Sequence, residues 1–321
     1  MIPIETEVVR LQNSLAHDLL RFVPELLLVL GIAGSLFAKF FTVFARIPMV
    51  RLAIPLVVAA FGITLSDWMT TDLFRGLLRF DGFANLLRAF LLLTAMLALV
   101  LARIAGRPDV DDSADFVALV LGATLGMMLM VSANHLLMVF LAIEMASLPS
   151  YVLAGFRKGH ARASEAALKY VVYGAAASGS LLYGISLIVG RLGTASLSDL
   201  ATNASIAIIA ETFDLPFAAA LFLILVGLGY KLAVVPFQFW LPDVFEGATA
   251  AVAAILAVAS KAAALGLVVR LTFCFTAVQP NPPLREGFAA VFATLAVLSM
   301  TIGNLAAYAQ SNLHRLLAYS T

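Results

Sequence analysis

Apolar residues run along this chain in blocks of about 20, each closed by a short polar break, and 20 residues is the length a helix needs to cross a bilayer. The blocks fall near 22–41, 50–68, 84–105, 115–133, 135–156, 165–190, 216–240, 249–273 and 286–309. A further apolar segment opens near Leu313. The pattern predicts an all-α polytopic membrane protein with about 9–10 transmembrane helices. The fourth and fifth blocks are parted only by Ser132-Ala133-Asn134-His135, which predicts a tight turn and an antiparallel helix pair. The seventh block carries Gly227 and Gly229 before Lys231 and Pro236 after it. Proline removes a backbone donor and clashes with the preceding turn, so this helix should break between Gly229 and Phe239. A break inside hydrocarbon is tolerated only where it lines a cavity or is buried in protein.

Composition agrees with the pattern. Of 321 residues, 62% are hydrophobic and 12% charged, about half the charged share of a soluble domain. The net charge of +1 gives no reason to expect a nucleic-acid partner; the partner is the lipid bilayer. Cys274 is the one cysteine, so no intrachain disulfide can form. The first 21 residues hold Glu5, Glu7, Arg10, His17, Asp18 and Arg21, too mixed in charge for a signal peptide. Arg46, Arg51, Arg103, Arg107, Arg157, Lys158, Arg162 and Arg315 follow the first, third, fifth and ninth blocks. The positive-inside rule then puts those loops in the cytoplasm and the N-terminus outside, although Arg75 and Arg79 run against it. The chain stops at Tyr319-Ser320-Thr321, early in an apolar segment, which reads as truncation or as completion by a partner chain.

Charge placement narrows the function. Glu144, Lys231 and Lys261 stand near the middle of three separate blocks, roughly 15 to 20 Å from water at 1.5 Å per residue. A charge at that depth costs about 3 kcal/mol on insertion scales. Three at matched depth predict an ion or proton path running from helix to helix in the membrane plane. The proton affinity of a buried lysine depends on whether a carboxylate stands beside it, the property a switchable carrier needs. Glu144 and Lys231 are therefore expected to approach each other or share a water, and Lys261, among Ser260, Ala262 and Ala263, to extend the path. Asp243 and Glu246, between blocks seven and eight, fit a solvated turn stopped by Gly247 or a supporting role. Lys169 and Glu165 open block six, where pairing along the helix or a proton entrance would account for them. His135 is read as a turn residue. No phosphate loop, no Cys or His cluster for a metal and no activated nucleophile is present, so no redox site is expected in this chain.

Several runs resemble the antiporter-like subunits of respiratory complex I. They are Thr124-Leu125-Gly126-Met127-Met128-Leu129-Met130, Glu144 to Phe156 with Ser147-Leu148-Pro149-Ser150-Tyr151, and Glu165-Ala166-Ala167-Leu168-Lys169-Tyr170. Val235-Pro236-Phe237-Gln238-Phe239-Trp240-Leu241-Pro242-Asp243-Val244-Phe245-Glu246-Gly247-Ala248 and Gly303-Asn304-Leu305-Ala306-Ala307 extend the match, with Arg315 to Ser320 at the end. Pro24-Glu25-Leu26 and the spacing of the motifs are similar to the N-type subunit rather than the L or M types.

The resemblance implies two five-helix repeats of inverted topology, each with a broken helix. Residues 1–114 would be an N-terminal three-helix region, 115–273 the first repeat, and 274–321 the incomplete start of the second. Glu144, Lys231 and Lys261 match the family's proton-translocating glutamate and lysines, with Pro236, Glu246, Lys169 and Asp243 in support. Gln238 stands where a histidine is common. Ala248-Thr249-Ala250-Ala251 replaces the usual prolines, which predicts a more regular start to the eighth helix. The implied protein is a proton-translocating membrane-arm subunit of an NADH:quinone oxidoreductase, in a bacterial inner membrane or an equivalent energy-converting membrane. NADH, flavin, iron–sulfur clusters and quinone would belong to partner subunits, and the other membrane-arm subunits would be its neighbours. The alternatives are a subunit of a multisubunit cation/proton antiporter or membrane-bound hydrogenase, or a structural or assembly subunit without a complete channel.

Overall fold

The computed structural model describes residues 15–40, 48–106, 112–202, 215–276 and 282–321. Glu5, Glu7, Arg10, Arg46, Arg107, Glu211 and Asp214 lie outside the described residues. The elements in order are α1 (Val23–Ala38), α2 (Met49–Ser66), β1 (Thr71–Leu73), β2 (Leu78–Phe80), α3 (Gly82–Ile104), α4 (Ser113–Ser132), α5 (Leu136–Ala154) and α6 (Ala161–Leu192). Then come α7 (Leu197–Thr202), α8 (Leu215–Leu232), α9 (Leu241–Gly247), α10 (Ala250–Thr276), α11 (Pro282–Tyr308) and α12 (Leu313–Ser320).

Among the described residues eight helices are long and apolar enough to cross a membrane, or nine if a bent pair counts as one span. That pair is Leu15–Arg21 and α1, set at 75° to each other. Pro24 in the first turn of α1 supplies no amide to a preceding turn, which explains the bend and the short first span. The polytopic helical fold expected from the pattern is present, with one addition. β1 and β2 form an antiparallel hairpin with Thr71 opposite Phe80. Two three-residue strands are too short to leave a periodic signal.

α4 is the hub. It packs against α1, α3, α5 and α10, and 89% of its most apolar 18-residue stretch is buried. Its Gly126 permits this: a Cβ there would stand 2.3 Å from the amide nitrogen of Ala146 in α5. His135 caps α5, its Nδ1 accepting from the Leu137 amide at 3.2 Å, so it is a turn residue as expected. The hairpin closes one end of the bundle. Its Leu77 carbonyl accepts from the Asn134 amide at 2.9 Å, and its Gly76 carbonyl from Asn134 Nδ2 at 3.0 Å. Arg270 of α10 donates to both carboxylate oxygens of Asp81 at 3.0 Å and to the Val131 carbonyl at 3.1 Å.

α10 holds one irregularity that was not expected. Its start, Ala250–Ala254, is regular α-helix, but Ile255–Ala259 beyond it forms a π-helical turn. Ser260 donates its amide to the Ile255 carbonyl, five residues back. Such a turn accommodates one extra residue, so Lys261 faces a different side of the helix from the one a continuous α-helix would give it. The absence of proline says nothing about this kind of irregularity.

The first three helices hold a pair that the pattern did not disclose. Arg88 of α3 donates from Nε and Nη2 to the two oxygens of Glu25 in α1, each at 2.8 Å. Its Nη1 donates to Asn85 at 2.7 Å, and the guanidinium lies 3.7 Å from the Phe80 ring centroid. Glu25 is 0% exposed and Arg88 2%. Both carboxylate oxygens of Glu25 are held by Arg88, and removing one member of a buried pair costs about 3–5 kcal/mol. Glu25→Ala should therefore lower the melting temperature of the purified protein sharply, whereas Glu25→Leu combined with Arg88→Leu should recover most of the loss. A Glu25→Ala protein that melts like wild type would show that the pair does not hold α1 to α3.

Candidate functional site

On α5, Glu144, Ser147 and Tyr151 are spaced i, i+3 and i+7, which places them on one face. Tyr170, Gly174 and Ser178 share a face of α6 at i, i+4 and i+8. The two faces meet. Ser178 Oγ donates to the Glu144 carboxylate, and the Tyr151 hydroxyl sits against Gly174, where any Cβ would lie 2.0 Å from it. Lys231, in the last turn of α8, enters the same seam and donates from Nζ to Ser147 Oγ at 2.9 Å. Gly227 lets α8 come this close, since a Cβ there would stand 2.7 Å from the Cβ of Leu181 in α6.

Lys231 is 3% exposed and Glu144 half-buried. No ion pair joins them among the described residues. They stand on neighbouring turns of one seam, each held by a serine, with Ser147 one turn from Glu144 along α5. Both serines were missed as functional partners in the sequence. Ser147 could have been found, because it lies at i+3 from Glu144; Ser178 sits in a run of small residues and carries no comparable signal.

Immediately after Lys231 the helix breaks, as the glycines and Pro236 predicted: α8 ends at Leu232 and α9 begins at Leu241. The freed backbone groups are taken up locally. The Tyr230 carbonyl accepts from the Ala233 amide at 3.0 Å and from Trp240 Nε1 at 3.2 Å. The Val235 amide donates to Ser299 Oγ of α11 at 3.0 Å. Trp240 in turn stacks on Tyr170, with ring centroids 4.4 Å apart and planes within 6°. Pro236 itself is exposed and makes the break without polar contacts of its own.

The break opens onto a cavity of about 260 Å³, lined by Val234, Gln238, Lys261, Ser299 and Asn304 among others. Lys261, half-buried, donates from Nζ to Thr321 Oγ1 at 2.6 Å. Gln238 Oε1 is buried and has no protein partner. A cavity of this size has room for several waters, and one beside Gln238 would satisfy that oxygen. The structure thus brings Lys231 and Lys261 to either side of one interruption, while Lys169, Asp243 and Glu246 lie elsewhere.

Those three belong to an ion network at the end of the bundle formed by the start of α6, α9 and α12. Lys169 Nζ is 2.6 Å from Glu165 and 2.7 Å from Asp243. Arg315 Nη1 reaches Asp243 at 2.6 Å and Glu246 at 3.0 Å, and Arg162 reaches Glu246 at 3.0 Å. Arg315 was expected only as a loop charge. Burial alone would raise the Asp243 carboxyl, but the hydrogen bonds and charges of Lys169 and Arg315 outweigh it and hold the group below the ordinary carboxylate range. Among the described residues no group of three or more His, Cys, Asp and Glu side chains is placed to hold a metal ion.

Residues 133–321 match the family model described as NADH:quinone oxidoreductase/Mrp antiporter, transmembrane. The chain is 40% identical over 263 residues to NADH-quinone oxidoreductase subunit N of Anaeromyxobacter sp. (strain Fw109-5), covering 78% of this chain and 50% of that one. It is 34% identical to NADH-quinone oxidoreductase subunit N 2 of Chloroherpeton thalassium, covering 100% of this chain and 64% of that one. Among solved structures it is similar to a chain of respiratory complex I from Thermus thermophilus with bound aureothin, with a TM-score of 0.74 and 34% identity over 92% of this chain and 61% of that one. The chain thus spans half to under two thirds of the length of these relatives.

The lowered Asp243 carboxyl gives the ion network a pH dependence of defined sign. A carboxyl whose folded pKa is depressed stabilises the fold above its unfolded pKa of about 3.9, and that contribution is lost as pH falls from there through the folded value. Thermal stability of the purified protein should therefore fall between pH 5 and the acid limit by more in wild type than in Asp243→Asn, in differential scanning fluorimetry at about 0.1 M salt. Parallel curves for the two proteins would mean that Asp243 carries no such linkage.

Proposed function

The chain belongs to the NADH:quinone oxidoreductase/Mrp antiporter transmembrane family, and from that membership we propose that it is a proton-translocating membrane-arm subunit of an NADH:quinone oxidoreductase. In this reading residues 115–273 are one five-helix repeat, 1–114 a three-helix region before it and 274–321 the start of a second, inverted repeat. The face with the Lys169–Asp243–Arg315 network is cytoplasmic, and the N-terminus is on the opposite side. Neighbouring subunits carry NADH oxidation, the flavin, the iron–sulfur clusters and the quinone site.

The observation that carries the reading is the placement of Lys231. It is buried, held by one hydroxyl, and directly precedes a helix break whose cavity is lined by Leu232 on its side and by Lys261 on the other. Glu144 acts on it through space from the neighbouring turn of the same seam. A negative charge on Glu144 favours the ammonium of Lys231; moving that charge, or neutralising it, lets Lys231 release its proton. The cavity supplies the way out. Water there would accept the proton from Lys231 and pass it to the amine of Lys261, with Gln238 Oε1 orienting the water as an acceptor. Gln238 has no titratable group, so it serves the transfer by position alone.

Replacing Lys231 by Met keeps the length and apolar stem of the side chain and removes the proton carrier. In proteoliposomes bearing the complete complex, this variant should assemble and lose most proton uptake, with coupled NADH oxidation falling too. Lys231→Arg should also fail, because a guanidinium keeps its proton at working pH. Undiminished uptake per NADH in the methionine variant would take Lys231 out of the path and favour a structural subunit.

A further inference from the structure

The proton path just described needs a connection between Lys231 and the aqueous face that carries the ion network. Lys231 itself is buried on all sides, and its one hydrogen bond runs to Ser147. From Ser147 the seam between α5 and α6 continues toward that face, because α5 ends at Ala154 and α6 begins at Ala161 there. The next inward position on α5 is Tyr151, 5% exposed, whose hydroxyl has Ser147 and Tyr230 beside it and the Glu144 charge acting on it. Tyr170 stands next, its ring edge-on to Tyr151 at 4.6 Å. Tyr170 is 1% exposed, and its hydroxyl is a buried polar atom with no protein partner. Native proteins leave such groups unpaired rarely, and ordered water is the usual partner. Tyr170 follows Lys169 in the chain and stacks on Trp240, the residue before α9, which carries Asp243 and Glu246.

Two details make this more than aromatic packing. A Cβ at Gly174 would lie 2.0 Å from the Tyr151 hydroxyl, so the sequence gives up a side chain on α6 to seat that oxygen. And polar atoms recur at one per helical turn on this face of α5, Ser147 then Tyr151, while the hydroxyl of the buried Ser150 beside them is committed to the Ala146 carbonyl at 2.7 Å.

We propose that the hydroxyls of Tyr151 and Tyr170, bridged by water, conduct protons between the Lys169–Asp243–Arg315 network and Lys231. The proposal rests on Lys231 being a proton carrier. A proton reaching the water at Tyr170 binds the phenol oxygen as that hydroxyl's own proton leaves to the next water; the same exchange at Tyr151 and Ser147 delivers a proton to the free amine of Lys231. Each transfer makes one O–H or N–H bond as it breaks one O–H bond, and both phenols end neutral. Ser147 takes part by turning its hydrogen, which it otherwise donates to the Ile143 carbonyl at 2.6 Å. The Tyr230 hydroxyl, committed to the Tyr170 carbonyl at 2.9 Å, fixes the aromatic group without being on the route.

The test compares Tyr151→Phe, Tyr170→Phe and Lys231→Met with wild type in proteoliposomes carrying the complete complex. Each tyrosine variant keeps its ring and its stack and loses one oxygen. Tyr151→Phe should slow proton uptake by about 100-fold, Tyr170→Phe by a smaller factor, and Lys231→Met should stop it. Wild-type uptake in Tyr151→Phe with none in Lys231→Met overturns the tyrosine route and leaves the lysine path standing. Wild-type uptake in both overturns the lysine path and the route with it. Should Tyr151→Phe fail to assemble, 3,5-difluorotyrosine at 151 keeps the shape and makes the phenol more acidic. A conducting hydroxyl then moves the alkaline limb of the pumping pH profile to lower pH, and an unmoved limb overturns the proposal.

Discussion

Hydrocarbon offers no partner to a free carbonyl or amide, and this single constraint organises the centre of the molecule. α8 stops inside the apolar block that contains it, and the backbone groups it releases must be matched by protein. The Tyr230 carbonyl is met by the indole of Trp240, and the Val235 amide by the hydroxyl of Ser299. Trp240 can reach because it is stacked on Tyr170, and Tyr170 is placed because Tyr230 donates to its carbonyl. The break is thus closed by a ring of contacts among α6, α8 and α11. Among the described residues two cavities open beside that ring, one lined by Lys261 and Gln238 and the other by Pro236, Phe239 and Trp240.

The same constraint separates what the sequence disclosed from what it hid. Apolar blocks of fixed length, two glycines and a proline announce a broken helix because each acts on the backbone locally. Glu144, Lys231 and Lys261 stand out because charge in hydrocarbon is costly whatever surrounds it. Their partners are another matter. Ser178 and Ser299 are neutral, small and of a type frequent in membrane helices, so nothing local marks them, and Ser147 is marked only by its spacing from Glu144. Glu25 and Arg88 are 63 residues apart, and each taken alone reads as a charge near a span end. Only the packing of α1 on α3 shows that they satisfy each other. The π turn at Ile255–Ala259 was hidden for a related reason: it depends on how α10 fits its neighbours, and the alanine-rich sequence would serve a regular helix equally well.

The two ends of the bundle are built by different means. At one, a β-hairpin lays backbone hydrogen bonds across the turn between α4 and α5, and Arg270 fastens α10 to Asp81 beside it. At the other, charged side chains of α6, α9 and α12 tie three elements with no backbone pairing between them. Backbone pairing is indifferent to protonation and salt, and a part-exposed ion network is not. The end held by side-chain charges alone therefore responds most to the surrounding solution, and it is also the end from which the tyrosine seam leads inward.

Gly126 sets a limit on how Glu144 can be influenced. The α4 backbone at this glycine presses on the backbone of Met145 and Ala146, with no side chain between. Two helices in backbone contact cannot slide past each other by a fraction of a turn without collision, and the turn of α5 that bears the carboxylate is the one so pinned. A piston-like stroke of α5 is accordingly closed to this protein. What the contact leaves able to turn is the half-buried side chain of Glu144, tied across the seam only by the Ser178 hydroxyl. Signals can arrive there as fields and as rotations of a single torsion angle, at nanosecond cost, against a scaffold that stays still.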